Sequence, residues 1–182
     1  TGNTGQQAYV NGNLSTGSTT LSGVAAPAGY NWSELQNNTG NLAEANSGLG
    51  SSALVNSFSL ADDFTVPAGP NWNISRLVFY AYQTGAAATP SPFNELRFRI
   101  YNGDPSSGTA SIVFGDLTTN RLSATNDAHS YRIANTIAPS PGSAPGTTRK
   151  IWTLEADVNI SLPAGIYWIE WQTNNIANSN HF

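Results

Sequence analysis

Lys150-Ile151-Trp152-Thr153-Leu154-Glu155-Ala156-Asp157-Val158-Asn159-Ile160, together with the run Gly165-Ile166-Tyr167-Trp168-Ile169-Glu170-Trp171 that follows it, decides the fold. In the first run Trp152, Leu154, Ala156, Val158 and Ile160 alternate with Thr153, Glu155, Asp157 and Asn159, the period-2 pattern of a strand with one wet face. Leu162-Pro163-Ala164-Gly165 turns the chain between the two runs, because proline fixes φ and glycine tolerates positive φ. The pair is therefore expected as an antiparallel hairpin in the inner wall of a β-sandwich.

Outward from this pair the same periodicity recurs. Leu96, Phe98 and Ile100 alternate with Glu95, Arg97, Arg99 and Tyr101, and Asn102-Gly103-Asp104-Pro105 ends that strand in a turn. Asn73 to Tyr82 is apolar on both faces, which predicts a central strand. Ala53 to Leu60 and Asp63 to Val66 read as two strands or one bent strand, stopped by Pro67-Ala68-Gly69-Pro70. Further short strands are expected at Ala110 to Phe114, Arg121 to Ser123 and Ser130 to Ala134. No stretch has a sustained 3.6-residue period, and Ser33-Glu34-Leu35 and Leu42-Ala43-Glu44-Ala45 predict a helical turn at most. The total, about ten short strands, argues for an all-β, two-sheet sandwich of jelly-roll or immunoglobulin-like topology.

Residues 1–50 are rich in Gly, Asn, Ser and Thr and divide from 51–182 as an N-terminal arm beside the sandwich domain. Within the arm Ala8, Val10, Gly12 and Leu14 alternate with Tyr9, Asn11, Asn13 and Ser15, and Thr19 to Val24 suggests a second short strand. Such an arm either completes its own sheet or adds to the open edge of a neighbouring molecule.

Composition excludes several classes. Charged residues make up 10% of the 182-residue chain, against roughly 25% in an ordinary soluble domain. Net charge is −4 with Lys150 the only lysine, so no basic patch exists for nucleic acid and little material exists for lysine cross-links. No apolar run approaches the ~20 residues of a membrane-spanning helix. There is no cysteine, hence no disulfide or thiolate metal site. A polar, weakly charged surface suits an extracellular or cell-surface protein, expected as a mature chain whose leader has been removed.

Three motifs, Ala61-Asp62-Asp63-Phe64-Thr65-Val66-Pro67, Val113-Phe114-Gly115-Asp116 and Gly165 to Trp171, carry a resemblance. Over residues 50–175 the chain resembles a largely uncharacterised β-sandwich domain of secreted, surface-anchored or matrix proteins of bacteria. The resemblance implies an extracellular setting and transfers no catalytic residues. Related domains continue past the Trp-rich strand, which implies an open sheet edge here.

Candidate sites are few. Asn13, Asn31, Asn37, Asn73 and Asn159 each begin an N-x-[ST] glycosylation pattern, which an Asn-rich chain also produces by chance. Asp62, Asp63, Asp104 and Asp116 offer oxygen ligands for Ca²⁺ without any EF-hand spacing, and a turn or edge role competes. His129 and His181 lack a metal-binding spacing, and no nucleophile elbow occurs. Glu155 and Glu170 would face one another across the expected hairpin, the arrangement a glycosidase needs, but wet-face glutamates on paired strands are commonplace. With Tyr167, Ile169 and Trp171 inward, Trp168 and Glu170 face the other way. Trp168, with Tyr101 or the loop aromatics Trp32 and Trp72, is then a candidate sugar platform, and packing of Trp168 under a loop or added strand is the competing account.

The expectation is a non-enzymatic extracellular structural protein without a cofactor, a homopolymer joined by β-strand addition through Ala8, Val10, Gly12 and Leu14. The alternative is a carbohydrate-binding or adhesive module whose partners are glycans.

Overall fold

The computed structural model describes residues 9–21, 23–35, 50–133 and 145–182. Eight strands are formed: β1 (Asn31–Glu34), β2 (Leu60–Val66), β3 (Trp72–Tyr82), β4 (Phe93–Tyr101), β5 (Ile112–Asp116), β6 (Ala124–Ile133), β7 (Lys150–Leu162) and β8 (Gly165–Asn175). They make two four-stranded sheets, ordered β1-β6-β7-β3 and β2-β8-β4-β5, packed face to face as a β-sandwich. The only helical element among the described residues is a 3₁₀ turn at Pro105–Ser107, whose first turn is capped by the Asp104 carboxylate.

The alternating apolar residues fill the space between the sheets. Leu96, Phe98, Ile100, Leu154 and Ala156 are fully buried. Two clusters are continuous along the interior, one around Phe98, Trp152 and Leu154 and one around Val66, Ile100, Ile160, Leu162 and Tyr167. Phe79 packs on Phe98 and Trp171 across the gap, with ring centroids 5.6 Å apart in both pairs. Each such aromatic pair adds roughly 0.5–1.5 kcal/mol beyond area burial. Gly115 is required in β5: at φ +75 a Cβ there would lie 2.4 Å from the Phe98 carbonyl.

Several expectations are corrected. β7 and β8 do not form a hairpin: β7 pairs with β3 and β6, β8 pairs with β2 and β4, and Pro163-Ala164 carries the chain from one sheet to the other. A core face looks the same in sequence whether the next strand lies beside it or opposite it. β3 is an edge strand, not a central one; its outward apolar residues Val78 and Tyr80 are 43% and 49% exposed. Ser33 and Glu34 belong to β1, a strand parallel to β6, rather than to a helical turn. Arg121–Ser123 is not a strand, whereas residues 130–133 are the end of a longer one, since β6 runs from Ala124 to Ile133, with an irregularity between Asp127 and Tyr131 where His129 takes φ +48; Ala134, like residues 42–45, lies outside the described residues. Of residues 53–60 only Leu60 lies in a strand, as the start of β2, with the isolated bridge Leu54–Thr173 before it, and the described residues of 19–24 contribute only the isolated bridge Thr19–Ala25. β1, at Asn31–Glu34, joins the first sheet beside β6.

Candidate functional site

The strand β7 is longer than its neighbour. β6 begins at Ala124, opposite Glu155, and Ser123 makes the preceding backbone hydrogen bond to Glu155. Beyond that point β7 continues to Leu162 with β3 on one side and, among the described residues, no strand on the other. Unpaired strand edges of this kind are templates for a further strand.

Beside this open stretch lies a groove of about 420 Å³ between the two sheets. Its walls are Asn159 to Pro163 from β7 and the turn after it, and Asn102, Val113 and Phe114 from the opposite sheet. Phe114, Ile160, Leu162 and Tyr167 give it an apolar lining, and Asn102, Asn159 and Ser161 a polar one; no lining side chain is charged. The groove's β7 wall reaches back only to Asn159, short of the start of β6. The Arg121 guanidinium lies over Phe98 and Phe114, 5.8 Å and 5.4 Å from the ring centroids, and pairs with Asp116 at 2.6 Å.

The arm lies on the opposite flank. The Tyr9 ring sits 6.1 Å from Phe64 and 6.4 Å from Trp72, at the seam between the edge strands β2 and β3, and Asn11 donates to the Asp62 carboxylate. Tyr9 is 46% and Val10 57% exposed, so the contact is shallow. Leu14 reaches a small cavity beside Tyr80 and Tyr82, while Gly12 has open space around it. Ala8 lies outside the described residues.

On the outer face of the β2-β8-β4-β5 sheet, Trp168 stands opposite both Tyr101 and Asp63 in the ladder. The two residues of the expected sugar platform are therefore neighbours, although Tyr101 is buried and Trp168 only partly exposed. Glu170 accepts from Arg99 Nε and from the Tyr101 hydroxyl, each at 2.8 Å. Burial pushes the Glu170 carboxyl up, but the hydrogen bonds from Arg99 and Tyr101 outweigh it and hold the group below the usual carboxylate range. The Tyr101 hydroxyl is pushed up by burial and by its bond to Glu170. This is a closed network whose polar groups satisfy one another.

The remaining candidates separate. Trp32 is buried in β1, and Trp72 packs at the β2–β3 seam. Glu155 and Glu170 lie in different sheets, so they do not face each other; Glu155 pairs with Arg76 at 2.8 Å. Among the described residues no three acidic or histidine side chains converge on a cation position. Asp104 caps the 3₁₀ turn, and Asp62 holds Asn11 and the Asp63 amide. Asp116 accepts from the hydroxyls and amides of Thr118 and Thr119, which drives its carboxyl far below the usual range. His129 closes a turn on Asp127, while His181 is fully buried, 2.6 Å from the Thr173 hydroxyl. Of the glycosylation candidates, Asn13, Asn73 and Asn159 are exposed, Asn31 is half-buried in β1, and Asn37 lies outside the described residues.

The open edge of β7 had no signature in the sequence, because backbone hydrogen bonding is independent of the side chains that periodicity reads. No protein-family model, curated protein or solved structure matches this chain, and what the site can do has to be argued from its own chemistry.

Proposed function

We propose that the chain is an extracellular structural subunit of a bacterial surface fibre or matrix, joined to further copies by β-strand addition. The observation that carries this reading is the stretch of β7 that no described strand pairs on one side, over an uncharged, partly apolar groove. The incoming strand is the arm of another copy. Ala8, Val10, Gly12 and Leu14 would lie on the lining, and the first twenty residues contain no charged side chain, so nothing charged is desolvated. Because the arm leaves on the β2–β3 flank and the groove opens on the other side of β7, the contact is not self-complementary and propagates head to tail. Main-chain hydrogen bonds then supply cohesion where disulfides cannot.

Light scattering and negative-stain microscopy of the full chain, beside a chain lacking residues 1–16, test this. Filaments from the full chain, monomers from the truncated one, and restored association on adding a peptide of residues 1–16 are the expected results. Compact monomers of equal stability from both chains would remove the mechanism.

A second reading, a carbohydrate-binding surface, is favoured by one observation: Trp168 and Tyr101 stand side by side on an outer sheet face beside Asp63 and Glu170. Quenching of Trp fluorescence by an oligosaccharide, lost in Trp168→Ala, would support it, and a flat glycan array would end it.

A further inference from the structure

The chain has 7 cationic side chains, and most are neutralised locally. Arg76, Arg97, Arg99, Arg121 and Lys150 each meet a carboxylate within 3.0 Å. Arg132 and Arg149 meet none among the described residues, and the Nε of each is buried without a hydrogen-bond partner. Arg132 is the more telling. It is 8% exposed, and among the described residues its one side-chain hydrogen bond is to a neutral group, Nη1 to the Ser33 hydroxyl at 3.2 Å. A buried cation with no anion is costly, since its desolvation is not offset by any opposite charge.

Arg132 lines a cavity of about 150 Å³. Ser33, Arg132, Ile151 and Tyr82 come from β1, β6, β7 and β3 in order across one sheet. Ladder partners Ser33–Arg132 and Tyr82–Ile151 lie on the outer face, since their neighbours Ala81 and Trp152 belong to the interior cluster. Leu14 and Phe182 complete the walls, and Phe182 is held by reciprocal backbone bonds to Tyr82 of 2.6 Å and 2.9 Å. The cavity thus has one cationic wall with the Ser33 hydroxyl beside it, and the rest of its lining is mainly aliphatic and aromatic.

We propose that this cavity binds a small organic monocarboxylate, with its carboxylate on the Arg132 guanidinium and Ser33 hydroxyl and its apolar body against Ile151, Tyr82 and Phe182. A guanidinium fork matches a carboxylate in charge and shape. One cation suits one negative charge, and a site of this volume takes a body about the size of a benzene ring. A phosphate or sulfate dianion would leave charge against apolar walls.

The probe is sodium benzoate on the full chain, with benzamide as its neutral isostere and sodium chloride at matched ionic strength. Benzoate is expected to raise Tm by about 5–10 °C at a hundredfold excess over its Kd, with benzamide and chloride moving it by no more than about 1 °C. Calorimetric titration should show Arg132→Lys weakening benzoate about tenfold, through loss of the fork, and Arg132→Gln abolishing binding. Equal shifts from benzoate and benzamide, or a benzoate shift that survives Arg132→Gln, overturn the proposal. Should Arg132→Gln fail to fold, the benzoate–benzamide difference in the unaltered chain and the Arg132→Lys titration decide it.

Discussion

The two halves of β7 have the same sequence pattern and different surroundings. From Lys150 to Glu155 the strand lies between β3 and β6, and Trp152 and Leu154 are enclosed by the Phe98 cluster. From Ala156 to Leu162 it keeps only β3 among the described residues, and Ile160 and Leu162 border a groove. Inward burial is high in both, with Leu154 0% and Ile160 5% exposed, although Val158 is only partly buried. The difference lies in the backbone and the flank, which shows that a complete core can coexist with an incomplete sheet.

Truncation should expose that difference most strongly. Leu154→Ala, in the closed half, is expected to cost about 3–4 kcal/mol, or roughly 6–16 °C in Tm, because the vacated volume is walled on all sides. Ile160→Ala should stay near about 2 kcal/mol, since groove residues and solvent can relax into the space. Urea unfolding of the two variants checks the ranking; equal losses would mean that the groove closes in solution. Hydrogen exchange gives the next effect: amides of residues 157–161 that point away from β3 should exchange at least about tenfold faster than those of 151–155. Protection of those same amides by a peptide of residues 1–16 would place the added strand.

The sequence made the inward faces legible and left their partners illegible. Leu96, Phe98 and Ile100 alternate inward as expected and are fully buried, because period-2 patterning reports burial directly. The same patterning cannot tell a hairpin from a crossing between sheets, so β7 and β8 looked paired although Pro163-Ala164 separates them. Val78 and Tyr80 made β3 look central because apolar residues on both faces ordinarily mean cover on both faces. Trp168 and Tyr101 were legible singly as outward aromatics, whereas their adjacency depends on the β4–β8 register. The groove was not legible at all. It exists because β6 starts opposite Glu155, a fact of pairing rather than of any residue type.

Acid should act on the closed end. His181 is buried between Thr173, Asn175 and Phe93, and burial pulls its imidazole below the ordinary value. The unfolded chain therefore binds a proton that the folded chain refuses. Stability from this group is fully present above about pH 6.5 and falls as pH drops below it, by at most about 1.4 kcal/mol per pH unit until the folded-state value is reached. The loss should appear first as faster exchange at the Tyr82 and Phe182 amides, which bond each other, and leave the groove end unchanged. A stability curve flat from pH 7 to about pH 5 would show that His181 is not the titrating group.

The smallest effect falls on the boundary itself. Arg76 reaches from β3 to Glu155, in the closed half, and to Asp157, in the open one, at 2.8 Å and 3.0 Å. Its side chain is 54% exposed and that of Asp157 61%, so water and salt screen the second pair heavily, whereas Glu155 is only 15% exposed. Arg76→Ala should cost less than about 1 kcal/mol. Double-mutant cycles should assign most of that coupling to Glu155, which also accepts from Asn126 Nδ2 and is held in place by it. Among the described residues Asp157 has no strand beyond it to hold its side chain, and the entropy of ordering it offsets the attraction. Were the Asp157 coupling the larger of the two, the open half of β7 would have to be more ordered in solution than its missing neighbour implies, and the acceptor role of that edge would weaken with it.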